Sequence, residues 1–364
     1  MFQHLIVIEP LGLLYGSSGR FLSPENLVGR SGASFPPSAA TVSGLFAAYH
    51  AQTTKDSKTL KETLKPLQLA GPFWADSNTP ENFHVPTPLH CLVKDQRIRC
   101  CMAWQQGQWL TWSDEKRQWE TPPNDKFEKG TWVAIADWHK LQHPTTAKEV
   151  EVQLAPWKFL PHLHPHLMED ERRVDSDKER GSLFLENGVQ MNPDACLIYL
   201  SNMPLKEGWY RFGGEGHMVN LRCIEIQADY IISQLLQAPL KQSFALITPA
   251  IWGSNRLSYR EPGIQRSNGW EPLWNAVLLT ERAMPFRYRL GGKERTKLLS
   301  RGRYAVPAGT VYITEHPQPA WVDWSEDWFP KEGPSLKRWG CGLALPLPGA
   351  IAEPTAETQG AIAS

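Results

Sequence analysis

Apolar residues cluster in short runs separated by turn-rich stretches, and the runs predict strands more often than helices. Residues 3–9 form a short apolar run that reads as a buried strand. A glycine- and serine-rich stretch follows from Gly12 to Ser34, and then Phe35-Pro36-Pro37-Ser38, proline-rich as helix starts often are. Thr41 to Tyr49 continues as a helix with small residues on one face, and 51–67, with Leu60, Leu64 and Leu67, predicts a short amphipathic helix. Residues 71–160 carry brief strand-like runs at Cys91–Val93, Trp109–Trp112 and Trp132–Ile135, and read as a strand-rich insertion. A charged hairpin is expected around 169–186, and a strand at 194–200.

The second half reads from Leu205. Trp209-Tyr210-Arg211-Phe212 leads into Gly213-Gly214-Glu215-Gly216-His217, with a strand at 218–221, a helix at 228–237, and strands at 244–250, 276–280 and 310–314. The pattern strand, helix, strands occurs twice without a 20–50-residue sequence repeat. It predicts an α+β fold of two sandwiches, each an antiparallel sheet with helices on one face. The expected division is 1–204, including the insertion and hairpin, then 205–351, then a frayed tail at 352–364.

Composition narrows the classes. The 364 residues are 41% hydrophobic and 21% charged, enough apolar content for two packed domains. Lys plus Arg and Asp plus Glu each total 38, so any nucleic-acid contact needs locally concentrated positive charge, leaving acidic surface for protein partners. Six cysteines include no CxxC pair, so buried reduced thiols are expected and zinc is not. No run approaches the ~20 apolar residues of a membrane helix. The first ten residues read as a strand, not a signal peptide, which makes the cytoplasm the expected location.

The strongest charge signal is Phe286 to Arg303, with seven basic residues (Arg287, Arg289, Lys293, Arg295, Lys297, Arg301, Arg303) against Glu294 alone, a local +6. Phe286 and Tyr288 alternate with Arg287 and Arg289, so an extended strand would present an aromatic face and a basic face. Stacking with phosphate pairing is what single-stranded RNA requires. The other reading is a solvated face paired with an acidic neighbour. Strand, Gly/Ser loop and helix start together make a plausible phosphate site. The Gly213–Gly216 turn lacks dinucleotide or P-loop spacing and reads as a close backbone approach or a plain tight turn. His162-x-His164-x-His166 is the obvious metal candidate, but Pro161 and Pro165 interrupt a strand there and no cysteine completes a set. No GxSxG, HExxH or comparable catalytic set occurs, and no cofactor is implied.

Several pieces agree in type and order with one family. They are Ile6-Val7-Ile8-Glu9-Pro10, Phe35-Pro36-Pro37-Ser38, Val85-Pro86-Thr87-Pro88-Leu89, the stretch from Arg172-Arg173-Val174-Asp175 to Gly181-Ser182-Leu183-Phe184, Phe212-Gly213-Gly214-Glu215-Gly216, Leu246-Ile247-Thr248-Pro249-Ala250, Tyr304 to Tyr312, and Gly340-Cys341-Gly342. The chain resembles the RAMP-superfamily subunit of type III-B (Cmr module) CRISPR effector complexes that caps the 5′ end of the guide RNA. The resemblance implies two ferredoxin-like, RRM-type sheets facing each other, glycine-rich loops at an RNA groove, and a projecting hairpin thumb at about 169–186. It implies RNA contacts from Arg20, Arg30, Ser31, Ser38 and Thr41, from Lys178 and Arg180 on the thumb, and from Gly213, Gly214, Gly216 and His217. Arg211 precedes that turn, and Arg287, Arg289, Lys293 and Arg295 come from the basic segment. The implied partners are guide RNA and its target, the large Palm-domain subunit and the backbone subunits. The implied role is not catalytic. The alternative is a related metal-independent endoribonuclease with His217 or His50 as base.

Overall fold

The computed structural model describes residues 1–15, 35–54, 56–165, 168, 173–174, 183–213, 216–254, 257–267, 269–291 and 298–351. Arg20, Arg30, Ser31, Lys178, Arg180, Gly214, Lys293, Arg295 and the 352–364 tail lie outside them. The chain is a strand-rich α+β protein whose sheets are antiparallel.

The first sheet is assembled from β1 (His4–Pro10), β2 (Leu69–Asp76), β3 (His84–Pro86), β4 (Trp132–Ala134), β5 (Ala195–Ser201), β6 (Gly208–Phe212) and β7 (His217–Glu225). Its order is β6-β7-β1-β5-β2-β3-β4. Helix α1 (Ala39–Thr53) follows β1, and α2 (Ser57–Leu64) starts with Asp56 accepting from the Thr59 N–H at 2.9 Å. Helix α3 (Ile231–Gln237) then leads into the second sheet, made of β8 (Lys241–Leu246), β9 (Val277–Leu279), β10 (Val311–Gln318) and β11 (Ala344–Pro346), in the order β9-β10-β8-β11. Numbered within its own set, the quartet β1, β2, β5, β7 runs 4-1-3-2 across the first sheet. The second sheet read from β11 runs 4-1-3-2 as well. The same strand order is thus built twice from unlike sequences.

Two-sided burial explains the apolar runs. Ile6 and Ile8 of β1 pack with Val42, Leu45 and Phe46 of α1, whereas Leu5 and Val7 enter a core shared with Phe244, Ala245 and Tyr312 of the second sheet. All seven positions of β5 are buried, as expected of a strand covered on both faces. Most tryptophans serve this core: Trp252, Trp274 and Trp324 pack edge-on or tilted around Phe244, Tyr312 and Phe329. The Trp138 indole donates to the Pro346 carbonyl at 2.9 Å, tying the first half to β11.

Three boundaries differ from the sequence expectation. Residues 69–76 belong to the first sheet, although an insertion was expected from 71. Gly71-Pro72 reads as a turn, but here the two residues sit opposite a register shift between Ile198 and Leu200, where a bulge tolerates the missing N–H. The independent part of the insertion is the four-stranded meander Cys91–Lys94, Arg97–Gln105, Gln108–Ser113 and Gln118–Glu120. At the other end, β7 pairs with β1 and β6 pairs with β7, which extends the first sheet to Glu225, past the expected boundary at 204. Finally, Pro161 and Pro165 do not break their strand. Trp157–Pro165 pairs with Leu183–Met191 along its whole length. It is an edge strand, and prolines of equal parity can turn their nitrogens to its open side.

The first sheet also carries a pH dependence. His84 on β3 stacks on Trp74 of β2 at 3.9 Å and 2°. Burial disfavours its imidazolium and lowers its pKa to about 4. The unfolded imidazole takes up its proton near pH 6.5, so this stability is complete above that pH and is lost as pH falls toward 4. Over that window unfolding free energy drops by roughly 3 kcal/mol. Urea titrations at pH 7 and pH 5 on the wild type and His84→Gln check it: the variant shows the smaller difference. Equal pH sensitivity in both would remove His84 as the cause.

Candidate nucleic-acid interface

The β6–β7 hairpin forms one edge of the first sheet, and strand alternation decides which of its side chains meet solvent. Tyr210 and Phe212 turn toward the α1 side, and Trp209 and Arg211 turn away. Trp209 is 74% exposed, unlike the tryptophans buried in the core. Register places Met218 opposite Arg211 and Asn220 opposite Trp209. Farther in, Asn220 donates to Glu9 at 2.8 Å, and Arg222 donates to Glu9 at 2.8 Å and to the Ser77 carbonyl at 2.7 Å. Glu9 is thereby neutralised within the sheet. The edge is left with an open indole, a guanidinium and a thioether on one face.

The hairpin turn needs glycine. Gly213 and Gly216 have φ of +74° and +70°, and the Gly216 N–H donates to the Gly213 carbonyl at 3.4 Å. The Arg211 side chain lies over Gly216, where an added Cβ would come within 3.7 Å of its Cδ. His217 begins β7 opposite Phe212 and is half-buried.

Other expected elements gather at the same end of the sheet. The Leu11 N–H donates to the Met218 carbonyl at 3.1 Å, so the chain leaves β1 beside the glycine turn. Leu14–Tyr15 then pairs with Gly188 and Val189 at the base of the long hairpin. The chain returns at Phe35, whose ring meets Trp157 of the same hairpin base edge-on at 5.1 Å. Both ends of the segment holding Arg20, Arg30 and Ser31 are thus fixed at this base. Ser38 caps α1 in extended geometry with no side-chain cap bond, the Thr41 backbone N–H donates to the Ser38 carbonyl at 2.8 Å, and the first turn has no acid. Tyr199 of β5 holds this start through its hydroxyl on the Pro37 carbonyl at 2.6 Å. Ser38 and Thr41 therefore sit at a helix N-terminus suited to an anion.

The basic segment divides into structural and available parts. Met284–Phe286 pairs with Arg303–Ala305, and Arg289–Gly291 pairs with Leu298–Leu299 and runs beside α1. Tyr288 is buried, and burial pushes its hydroxyl up to about 12. Phe286 packs partly buried against the core. The expected open aromatic face does not form, because these rings complete the interior. Arg303 is buried in an ion pair with Glu332, and Arg287 donates to the Ser300 carbonyl at 2.8 Å. Arg287 is half-buried and Arg289 lies on the strand beside α1.

Sequence reading named Arg211 and the glycine turn but passed over Trp209. The signal was present in Trp209-Tyr210-Arg211-Phe212, whose alternation in an edge strand exposes positions 209 and 211 together.

Comparison with known proteins identifies the chain. No curated protein matches it. Among solved structures, a chain of the type III-B Cmr-beta complex bound to cognate target RNA and AMPPnP is 10% identical, with a TM-score of 0.46 over 85% of this chain and 86% of that one. A chain of the Csm3–Csm4 subcomplex of the type III-A CRISPR-Cas interference complex is 10% identical, with a TM-score of 0.36 over 87% and 94%. A chain of the Csm1–Csm4 cassette in complex with pppApA is 9% identical, with a TM-score of 0.34 over 87% and 88%. The family of the CRISPR-associated protein (Cas_Cmr3) matches residues 6–348, and the chain belongs to that family.

Proposed function

We propose that this chain is the non-catalytic subunit of a type III-B CRISPR effector complex that holds the 5′ handle of the guide RNA, in the cytoplasm, for RNA-guided antiviral defence. The observation that carries the reading is the convergence at one end of the first sheet. There the glycine turn and both ends of the Gly/Ser loop gather by the base of the long hairpin, with the start of α1 on one face of the sheet and the exposed Trp209 and Arg211 on the other. An exposed ring beside a guanidinium offers stacking and phosphate pairing together. The twice-built 4-1-3-2 order supports reading the two sheets as ferredoxin-like domains. The segment at about 169–186, most of which lies outside the described residues and which is carried on the paired strands Trp157–Pro165 and Leu183–Met191, is read as the thumb that wedges the guide–target duplex. The large Palm-domain subunit and the first backbone subunit are the proposed protein partners, consistent with the neutral overall charge. No helix among the described residues is long and apolar enough to cross a membrane.

Trp209→Ala is expected to weaken guide-RNA binding by about 1–3 kcal/mol with an unchanged salt slope. Arg211→Ala is expected to weaken binding and flatten the slope of log affinity against log salt by roughly 0.7. Filter binding of a handle-bearing RNA across a salt series reads both. Wild-type affinity in the two variants would place the RNA elsewhere. Incubating the chain with precursor RNA, with and without EDTA, is expected to give no specific cleavage. A discrete product would favour the endoribonuclease instead.

A further inference from the structure

Outside the proposed RNA face, the chain brings together three soft ligands. Cys91 and Cys101 are directly paired across the first hairpin of the meander. The Met102 N–H donates to the His90 carbonyl at 2.8 Å, which makes 90 and 102 a hydrogen-bonded pair. The neighbouring pair, Cys91 and Cys101, is then the non-hydrogen-bonded kind, in which side chains come closest. Their sulfurs lie 3.5 Å apart. His90 belongs to the turn that enters the strand. That turn is fixed by Cys91 N–H to the Pro88 carbonyl at 2.9 Å and Leu89 N–H to the Gly309 carbonyl at 2.8 Å. The turn folds the imidazole onto the same side, with Nδ1 3.6 Å and Nε2 3.8 Å from the Cys91 sulfur.

We propose that His90, Cys91 and Cys101 form a binding site for a thiophilic divalent cation, with Zn²⁺ the best fit. One ligand atom from each lies within 4.8 Å of the others. Bonds of about 2.3 Å to sulfur and 2.0–2.1 Å to nitrogen space tetrahedral ligand atoms about 3.5–3.8 Å apart. The sulfur–sulfur separation falls near that spacing; the Cys91 sulfur is almost equidistant from the two ring nitrogens, so the imidazole turns about its side-chain bonds to aim one of them at the metal. The three side chains are buried. His90 is fully buried, and Cys91 and Cys101 are 7% and 2% exposed. The hydrogen-bond partners of the imidazole are sulfur atoms, which are weak partners for a buried ring. Two thiolates, a neutral imidazole and Zn²⁺ sum to zero charge, so the occupied site can be buried without a net ion. Metal binding releases whatever thiol protons remain, one for each thiolate–metal bond formed. Among the described residues no fourth His, Cys, Asp or Glu joins the group. Cys100 sits on the opposite face of the strand and takes no part. The absence of CxxC spacing concealed the set: its ligands come from a turn and from the paired strand ten residues on.

The site joins the insertion to the second half of the chain, since Gly309 follows β9 and precedes β10 and its carbonyl holds the turn. Occupancy therefore ties the meander to the second sheet. The test is metal analysis of the full chain, purified without chelators, by inductively coupled plasma mass spectrometry. About one zinc per chain is expected, with near-complete loss in Cys101→Ser and retention in Cys196→Ser, which removes a buried thiol elsewhere. Because Cys101→Ser can misfold, wild-type protein stripped of metal is also titrated with Co²⁺, and a thiolate-to-cobalt charge-transfer band is expected. Metal-free protein with no cobalt band, or a Cys91–Cys101 disulfide in protein prepared under reducing conditions, would overturn the proposal. Either result leaves the RNA reading untouched.

Discussion

Replacing Glu332 with alanine is expected to destabilise the folded chain by about 3–5 kcal/mol. Glu332 faces Arg303, and their side chains are 11% and 4% exposed. The carboxylate also accepts the Arg301 backbone N–H at 3.2 Å to each oxygen. The alanine variant leaves a guanidinium in the interior with no counter-charge and frees a backbone donor. The damage spreads, because Arg303 pairs with Phe286 across the strands that support the basic segment. Urea denaturation measures the loss. The double variant Arg303→Met with Glu332→Leu is expected to recover most of it, since apolar replacement of a buried pair is often neutral. If Glu332→Ala alone costs under about 1 kcal/mol, water reaches the pair and the segment is not anchored there.

The second large effect is at Gly340. Its φ of +65° is left-handed, and an added Cβ would lie 2.3 Å from Ala70 Cβ and 2.4 Å from Ala70 Cα. Ala70 is on the central strand β2, so the obstacle is backbone and cannot swing aside. Arg338 locks the same loop down by donating to the Leu67 and Leu64 carbonyls at 2.9 and 2.6 Å. Gly340→Ala combines the left-handed penalty, about 1–2 kcal/mol, with overpacking of about 1–3 kcal/mol. Gly333→Ala is the control: its φ is +78°, but the space around it is open. It is expected to show the first cost alone. Equal midpoints for the two variants in urea would mean that the C-terminal loop lifts off β2.

Much of the first sheet was legible. The apolar runs at 4–10 and 195–201 and the proline-led start of α1 report burial directly, because a strand covered on both faces has little room for polar side chains. What stayed hidden was non-local. Gly71-Pro72 looks like a turn unless the bulge opposite it is known. Nothing around 208–225 reveals that it pairs with β1 some two hundred residues earlier. At the site, charge density marked the 286–303 segment, but charge counts do not distinguish the buried Arg303 from the exposed Arg301. Alternation was the better guide at Trp209 and Arg211, where one strand has a neighbour on one side only. His90, Cys91 and Cys101 escaped a search for short cysteine spacings because strand register, not sequence distance, brings them together.

The most direct test of the central claim is to co-express the chain with its neighbouring genes, purify it through a single tag, and sequence the RNA that accompanies it. The account predicts short RNAs sharing one 5′ handle, together with partner subunits, and loss of that RNA when Trp209 and Arg211 are both replaced by alanine. Protein that comes through clean, with neither RNA nor partners, would contradict it.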